Sequence, residues 1–159
     1  MLFRSRDPQN PLATLKTTSR AEYVYARLEA RRAGADDALF LTVDDRLSEG
    51  TSANIFLVRS IGPGRFELAT PSLDCAILPG TTRSWLLDWG ARVGLHPFEG
   101  PLTREDLANA REAFLSSSVA GILPVTAFEG APIGDGVPGT WTQRARADRE
   151  AMIRGDGPT

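Results

Sequence analysis

The sequence predicts an α+β fold built on a mixed β-sheet, and three observations carry that expectation. Strand-like apolar runs and helix-like runs interleave along the chain instead of segregating into blocks. Several gaps between the strand-like runs are of hairpin length, which antiparallel neighbours use and all-parallel sheets cannot. A length of 159 residues, 42% hydrophobic and 24% charged, suits one globular domain with a real core.

The elements follow in chain order. Residues 1–15, with Pro8 and Pro11, read as an extended lead-in. Ser19 and Glu22 have the spacing of a capping box and open a helix through "AEYVYARLEARRAG", stopped at Gly34. "DALFLTV" (37–43) reads as a buried strand, "DDR" as a turn, and "ANIFLV" (53–58) as the next strand. "RFELATP" (65–71) is a third strand, ended by Pro71. "ILPGTTR" (77–83) is a Pro-Gly turn feeding the helix "SWLLDWGARVG", which stops at Gly94. Thr103 caps a short helix in "LTREDLANA". "EAFLSSS" (112–118) is a strand that runs into hydroxyls, "GILPVTAFEG" (121–130) is strand or turn, and a polar helix follows from Trp141.

Composition removes several functions. A net charge of -2 gives no electrostatic case for nucleic acid or an anionic membrane. No apolar run approaches the roughly 20 residues of a membrane span, and the N-terminus lacks a signal-peptide core, so a cytoplasmic location is expected. The single cysteine, Cys75, forms no internal disulfide and reads as a small buried thiol. The single histidine, His96, excludes a multi-histidine metal site and reads as a surface or edge residue.

The basic residues carry the first chemical signal. Of 18 Lys and Arg, only Lys16, in "LATLKTTSR", is a lysine. Arginine is a fixed cation, whereas a desolvated lysine amine is a nucleophile or base. A chain that uses Arg for charge and keeps one Lys is a candidate for needing an amine there. Two further places are suited to an anion. "PGTTR" puts a glycine and two threonines at a helix start, where unpaired N–H groups and the dipole favour negative charge. "SSS" (116–118) ends a strand with three hydroxyls. Glu49 follows a turn amid small residues. A nucleophilic lysine, an acid and two hydroxyl-rich turns are what a pyridoxal phosphate site requires.

These stretches resemble the class IV pyridoxal phosphate aminotransferases (fold type IV), which include branched-chain aminotransferases, D-amino acid aminotransferase and aminodeoxychorismate lyase. "EGTSANIF", "LATP" and "ILPGTTR" match the family's central pattern, and "EAFLSSSVAGILPV" and "GAPIGDGVPG" resemble its later blocks. The likeness covers residues from about 12 to 140. It implies a mixed-sheet pseudo-barrel with flanking helices. It also implies Lys16 as the Schiff-base lysine, Glu49 as partner of the pyridine nitrogen, and Thr81 (through its backbone), Thr82 and Ser118 as phosphate ligands. Arg83 reads as support for the turn. Thr81 replaces the family's usual aliphatic residue, and Ser118 its usual threonine.

Against the family's length, residues 1–15 read as a lead-in or interdomain segment and 16–154 as the cofactor-binding large domain, with the N-terminal small domain absent. The resemblance implies transamination between an amino acid and a 2-oxo acid. The alternative is the aminodeoxychorismate lyase reaction, since "LKTTSR" looks more like the lyase's lysine segment. The rival of another class is a non-catalytic remnant that needs a partner domain. The cofactor-facing side of the sheet, if uncovered, favours association, so a homodimer is expected.

Overall fold

A computed structural model describes residues 2–156. Its core is one eight-stranded mixed sheet. In order come β1 (Leu2–Arg6), β2 (Ala38–Thr42), β3 (Leu47–Gly50), β4 (Asn54–Gly62), β5 (Arg65–Pro71) and β6 (His96–Gly100). From β4 the sheet branches to β7 (Glu112–Ser117), which pairs β8 (Gly121–Val125). β1 runs parallel to β2 and β6 parallel to β5, and the other pairs are antiparallel. The sheet curls into a half-barrel with helices packed on it, as expected.

β4 explains why one face of the sheet was not enough. Ile55 and Leu57 point into one cluster with Leu39, Leu41, Leu47 and Leu115. Phe56 and Val58 point the other way, into a second cluster with Leu68, Leu86, Trp89 and Phe114. A strand covered on both sides reads as a continuous apolar run, which is what "NIFLV" shows. Phe56 is fully buried and stacks on Phe114 at 5.5 Å, so truncating it to Ala would cost about 3–5 kcal/mol.

The helices cover these faces. α2 (Thr81–Val93) lies on β5 closely enough that a Cβ on Gly90 would sit 2.8 Å from Leu68 Cδ2. α4 (Thr140–Arg154) packs over β7 and β8, its first turn capped by the Glu112 carboxylate, which accepts from Trp141 N at 3.0 Å and Thr142 N at 2.8 Å. α1 (Ala21–Arg32) buries Ala26 and Ala30 against Ala38 and Phe40. Among the described residues no helix is long and apolar enough to cross a membrane. Cys75 is buried and His96 is exposed on edge strand β6, both as expected.

Three local expectations need correction. The lead-in is not simply extended: residues 2–6 form β1, and turns follow. The Ser19 capping box does not form, because α1 starts one residue later with Arg20 at its N-cap and no side-chain cap. Arg20 instead donates Nη2 to the Thr51 carbonyl at 2.8 Å and lies 4.2 Å over the Tyr23 ring. A real capping box stands at α3 (Arg104–Ala108), where Thr103 and Asp106 cap each other as Thr103 predicted. Finally, Glu49 lies in a strand, β3, not in a loop.

Candidate active site

The folded chain brings the predicted residues to one cavity of about 360 Å³. Lys16 and Thr14 enter from the loop before α1. Glu49 and Asn54 come from neighbouring strands, paired opposite each other in the β3–β4 register. Thr81 and Thr82 come from the first turn of α2, and Ser116 and Ser118 from the end of β7. These segments lie far apart in sequence, and the curl of the sheet is what makes them meet.

Glu49 is the most buried of the charged residues that line the cavity, 4% exposed. Its Oε1 accepts from Arg6 Nη1 at 2.8 Å and from the Tyr23 hydroxyl at 3.4 Å. Its Oε2 accepts from the Leu78 N–H at 3.0 Å and from Asn54 Nδ2 at 3.4 Å. Burial pushes the Glu49 carboxyl above its ordinary value, against the opposing pull of the Leu78 N–H, Arg6 and Tyr23. Burial, with the Glu49 charge, likewise pushes Tyr23 up to about 12, so it stays a neutral donor.

The N-terminus of α2 is prepared for an anion. Its N-cap, Gly80, has no side chain, no other side chain caps it, and its first turn holds no acid. The Thr82 hydroxyl is buried without a hydrogen-bond partner, as is the Ser116 hydroxyl. Buried hydroxyls are ordinarily satisfied, so two orphans lining one cavity point to an absent acceptor. Gly80 permits the approach: a Cβ there would stand 2.3 Å from Asn54 Oδ1. Lys16 lines the same cavity and is exposed.

The other predicted residues divide. Ser118 lines the cavity but is exposed, while the buried, unsatisfied hydroxyl belongs to Ser116, which the sequence reading passed over. The signal was present, since residues two apart on a strand share a face and Ser116 sits opposite Asn54. Arg83 turns away from the cavity and ties α2 to the ends of β5 and β6, donating to the Pro71 carbonyl at 2.8 Å and to Glu99 at 2.5 Å. Arg6 and Arg20 were also missed. Arg20 lines the cavity.

The family model for amino-transferase class IV matches residues 2–128. The chain belongs to this family. It is 35% identical over 128 residues to the branched-chain-amino-acid aminotransferase of Escherichia coli K12, covering 80% of this chain and 40% of that one. A Legionella pneumophila protein provisionally assigned as a 4-amino-4-deoxychorismate lyase superposes with a TM-score of 0.82 at 29% identity, covering 98% of this chain and 55% of that one. A branched-chain amino acid aminotransferase from Escherichia coli superposes with a TM-score of 0.88 at 27% identity, covering 99% of this chain and 54% of that one. The chain thus spans about 40% of the length of the curated relative it matches. Class IV aminotransferases are pyridoxal phosphate enzymes.

Proposed function

We propose that this chain forms the cofactor-binding part of a pyridoxal phosphate enzyme that transfers an amino group between an amino acid and a 2-oxo acid. The observation that carries the reading is the cavity itself. It sets the only lysine of the chain and a buried acid around a helix start with an unpartnered threonine hydroxyl.

The donor set fits the cofactor. Unpaired N–H groups at Thr81 and Thr82, with the Thr82 hydroxyl, would hold its phosphate, and Ser118 and Ser116 would complete the cradle from β7. Glu49 would face the ring nitrogen, its oxygens kept in place by the donors of Arg6, Leu78, Tyr23 and Asn54. Lys16 would hold the reactive carbon through its amine. When bound, the group supplies an electron sink that makes the α-hydrogen of an amino acid acidic. The chain's part is then to place Lys16 Nζ where it removes and returns that proton. Glu49, as a carboxylate beside the ring nitrogen, favours the protonated ring.

The lyase reaction is the second reading, favoured by "LKTTSR" and by the likeness to the Legionella protein. One experiment separates the readings. The chain is loaded with pyridoxal phosphate and incubated with branched-chain or D-amino acids plus a 2-oxo acid, and separately with aminodeoxychorismate. Amino transfer supports the first reading. Pyruvate release without amino transfer supports the second. Bound cofactor with neither activity, or no cofactor binding at all, would leave the non-catalytic remnant that needs a partner domain.

A further inference from the structure

Arg6 is the last residue of β1 and is 6% exposed. Its backbone is fixed by the parallel pairing with β2, opposite Thr42, and by the Val43 N–H bonding to its carbonyl at 2.8 Å. Its guanidinium does two things at once. Nη1 donates to Glu49 Oε1 at 2.8 Å, and Nη2 donates to the Ala13 carbonyl at 3.1 Å. Ala13 is buried and stands three residues before Lys16. The guanidinium also lies 5.1 Å over the Tyr23 ring and 5.6 Å from the Phe40 ring centre, which fixes its plane.

We propose that Arg6 is a positioning residue: one buried guanidinium holds the Glu49 carboxylate ionised and fastens the loop that carries Lys16, so two residues that line the cavity are set by one side chain. The inference rests on reading Glu49 as the partner of the ring nitrogen. A buried carboxylate without a cation takes up a proton, and a protonated Glu49 could no longer favour a charged ring. Arg6 is the cation that touches it. The other ionisable groups facing Glu49 are few. Tyr23 donates from α1, while Lys16 and Arg20 line the same cavity from the loop before α1. Asn54 on β4 and the Leu78 N–H before α2 are neutral donors. Glu22 lies on the outer side of Arg6, 4.0 Å from Nε. Only a forked cation reaches Glu49 and Ala13 together; the single ammonium of lysine reaches one.

The test uses the cofactor-free 159-residue chain with 13C-labelled glutamate, Glu49 being identified by the signal lost in Glu49→Gln. Native protein, Arg6→Met and Arg6→Lys are titrated by NMR, and amide exchange is followed at residues 14–18. In Arg6→Met the Glu49 midpoint should rise by about one pH unit or more. Arg6→Lys should restore most of that midpoint while exchange in the loop stays at least severalfold faster than native. A midpoint unmoved in Arg6→Met, or loop exchange unmoved in both variants, overturns the proposal. If Arg6→Met does not fold, the double variant Arg6→Met/Glu49→Gln decides. Recovery of folding shows that the stranded carboxylate was the fault, whereas continued failure shows that Arg6 serves something other than Glu49. The cofactor reading fails separately: a Glu49 shift with no cofactor attached at Lys16 leaves the Arg6 pairing standing and removes the pyridoxal phosphate role.

Discussion

Replacing Thr82 by Val should move two quantities in opposite directions. The Thr82 hydroxyl is buried, with its residue 1% exposed, and has no hydrogen-bond partner. An unsatisfied buried hydroxyl costs about 1–3 kcal/mol, and valine keeps the shape while removing it. Helix propensities of Thr and Val are close, so the first turn of α2 loses little. The cofactor-free variant should therefore be more stable, by about 1 kcal/mol, raising Tm by roughly 2–4 °C for a chain of this size. Binding should move the other way. If Thr82 donates to the cofactor's phosphate, losing that charge-assisted bond costs about 1.5–3 kcal/mol, or about ten- to a hundred-fold in Kd. Thermal melts of the cofactor-free chain give the first quantity, and quenching of tryptophan fluorescence by added pyridoxal phosphate gives the second. A variant that is less stable but binds the cofactor as the native chain does would refute the reasoning, because Thr82 would then be a structural residue with a partner of its own.

Two further substitutions test the surroundings. Gly80→Ala introduces no backbone strain at φ -66, but its Cβ meets Asn54 Oδ1 and should displace an amide that now bonds the Leu78 carbonyl at 3.0 Å. A loss of about 1–3 kcal/mol is expected from urea unfolding, and an unchanged midpoint would mean that Asn54 moves without cost. Asp106 is pushed up by burial, but its hydrogen bonds to Thr103 and the Arg59 charge outweigh this and hold it below its ordinary 3.8. A depressed carboxyl stabilises the fold above its unfolded value and loses that stabilisation as pH falls through its folded value. Asp106→Asn should thus cost about 1 kcal/mol at neutral pH and nothing well below 3.8, and a pH-independent difference would contradict the assignment.

Much of this was legible in the sequence, for physical reasons that can be named. Strands buried on both faces, such as β2 and β4, declare themselves as apolar runs. β3 did not, because "LSEG" is short and half polar, and it is a strand only because β2 and β4 flank it. β1 was hidden for a similar reason: it follows from pairing with β2, not from its own pattern. The Ser19–Glu22 spacing promised a cap that tertiary contacts overrode, since Arg20 is drawn to Thr51 and Tyr23. At the site, Lys16 was visible as the single lysine, and Thr82 by its place after Pro-Gly. Ser116 stood in the visible "SSS" run, but which of its serines is buried shows only once β7 is in place, and Arg6 was not visible, because its buried ion pair exists only once β1 is in place.

The central claim is that Lys16 is the residue that holds the cofactor, and chemical trapping tests it most directly. The chain is incubated with pyridoxal phosphate, reduced with borohydride, digested and mapped by mass spectrometry, with Lys16→Arg in parallel. Arginine keeps the charge but offers no usable amine. The prediction is a phosphopyridoxyl group on the Lys16 peptide of the native chain and none anywhere in Lys16→Arg beyond background at the N-terminal amine. Modification of the N-terminal amine alone, equal in both proteins, would contradict it.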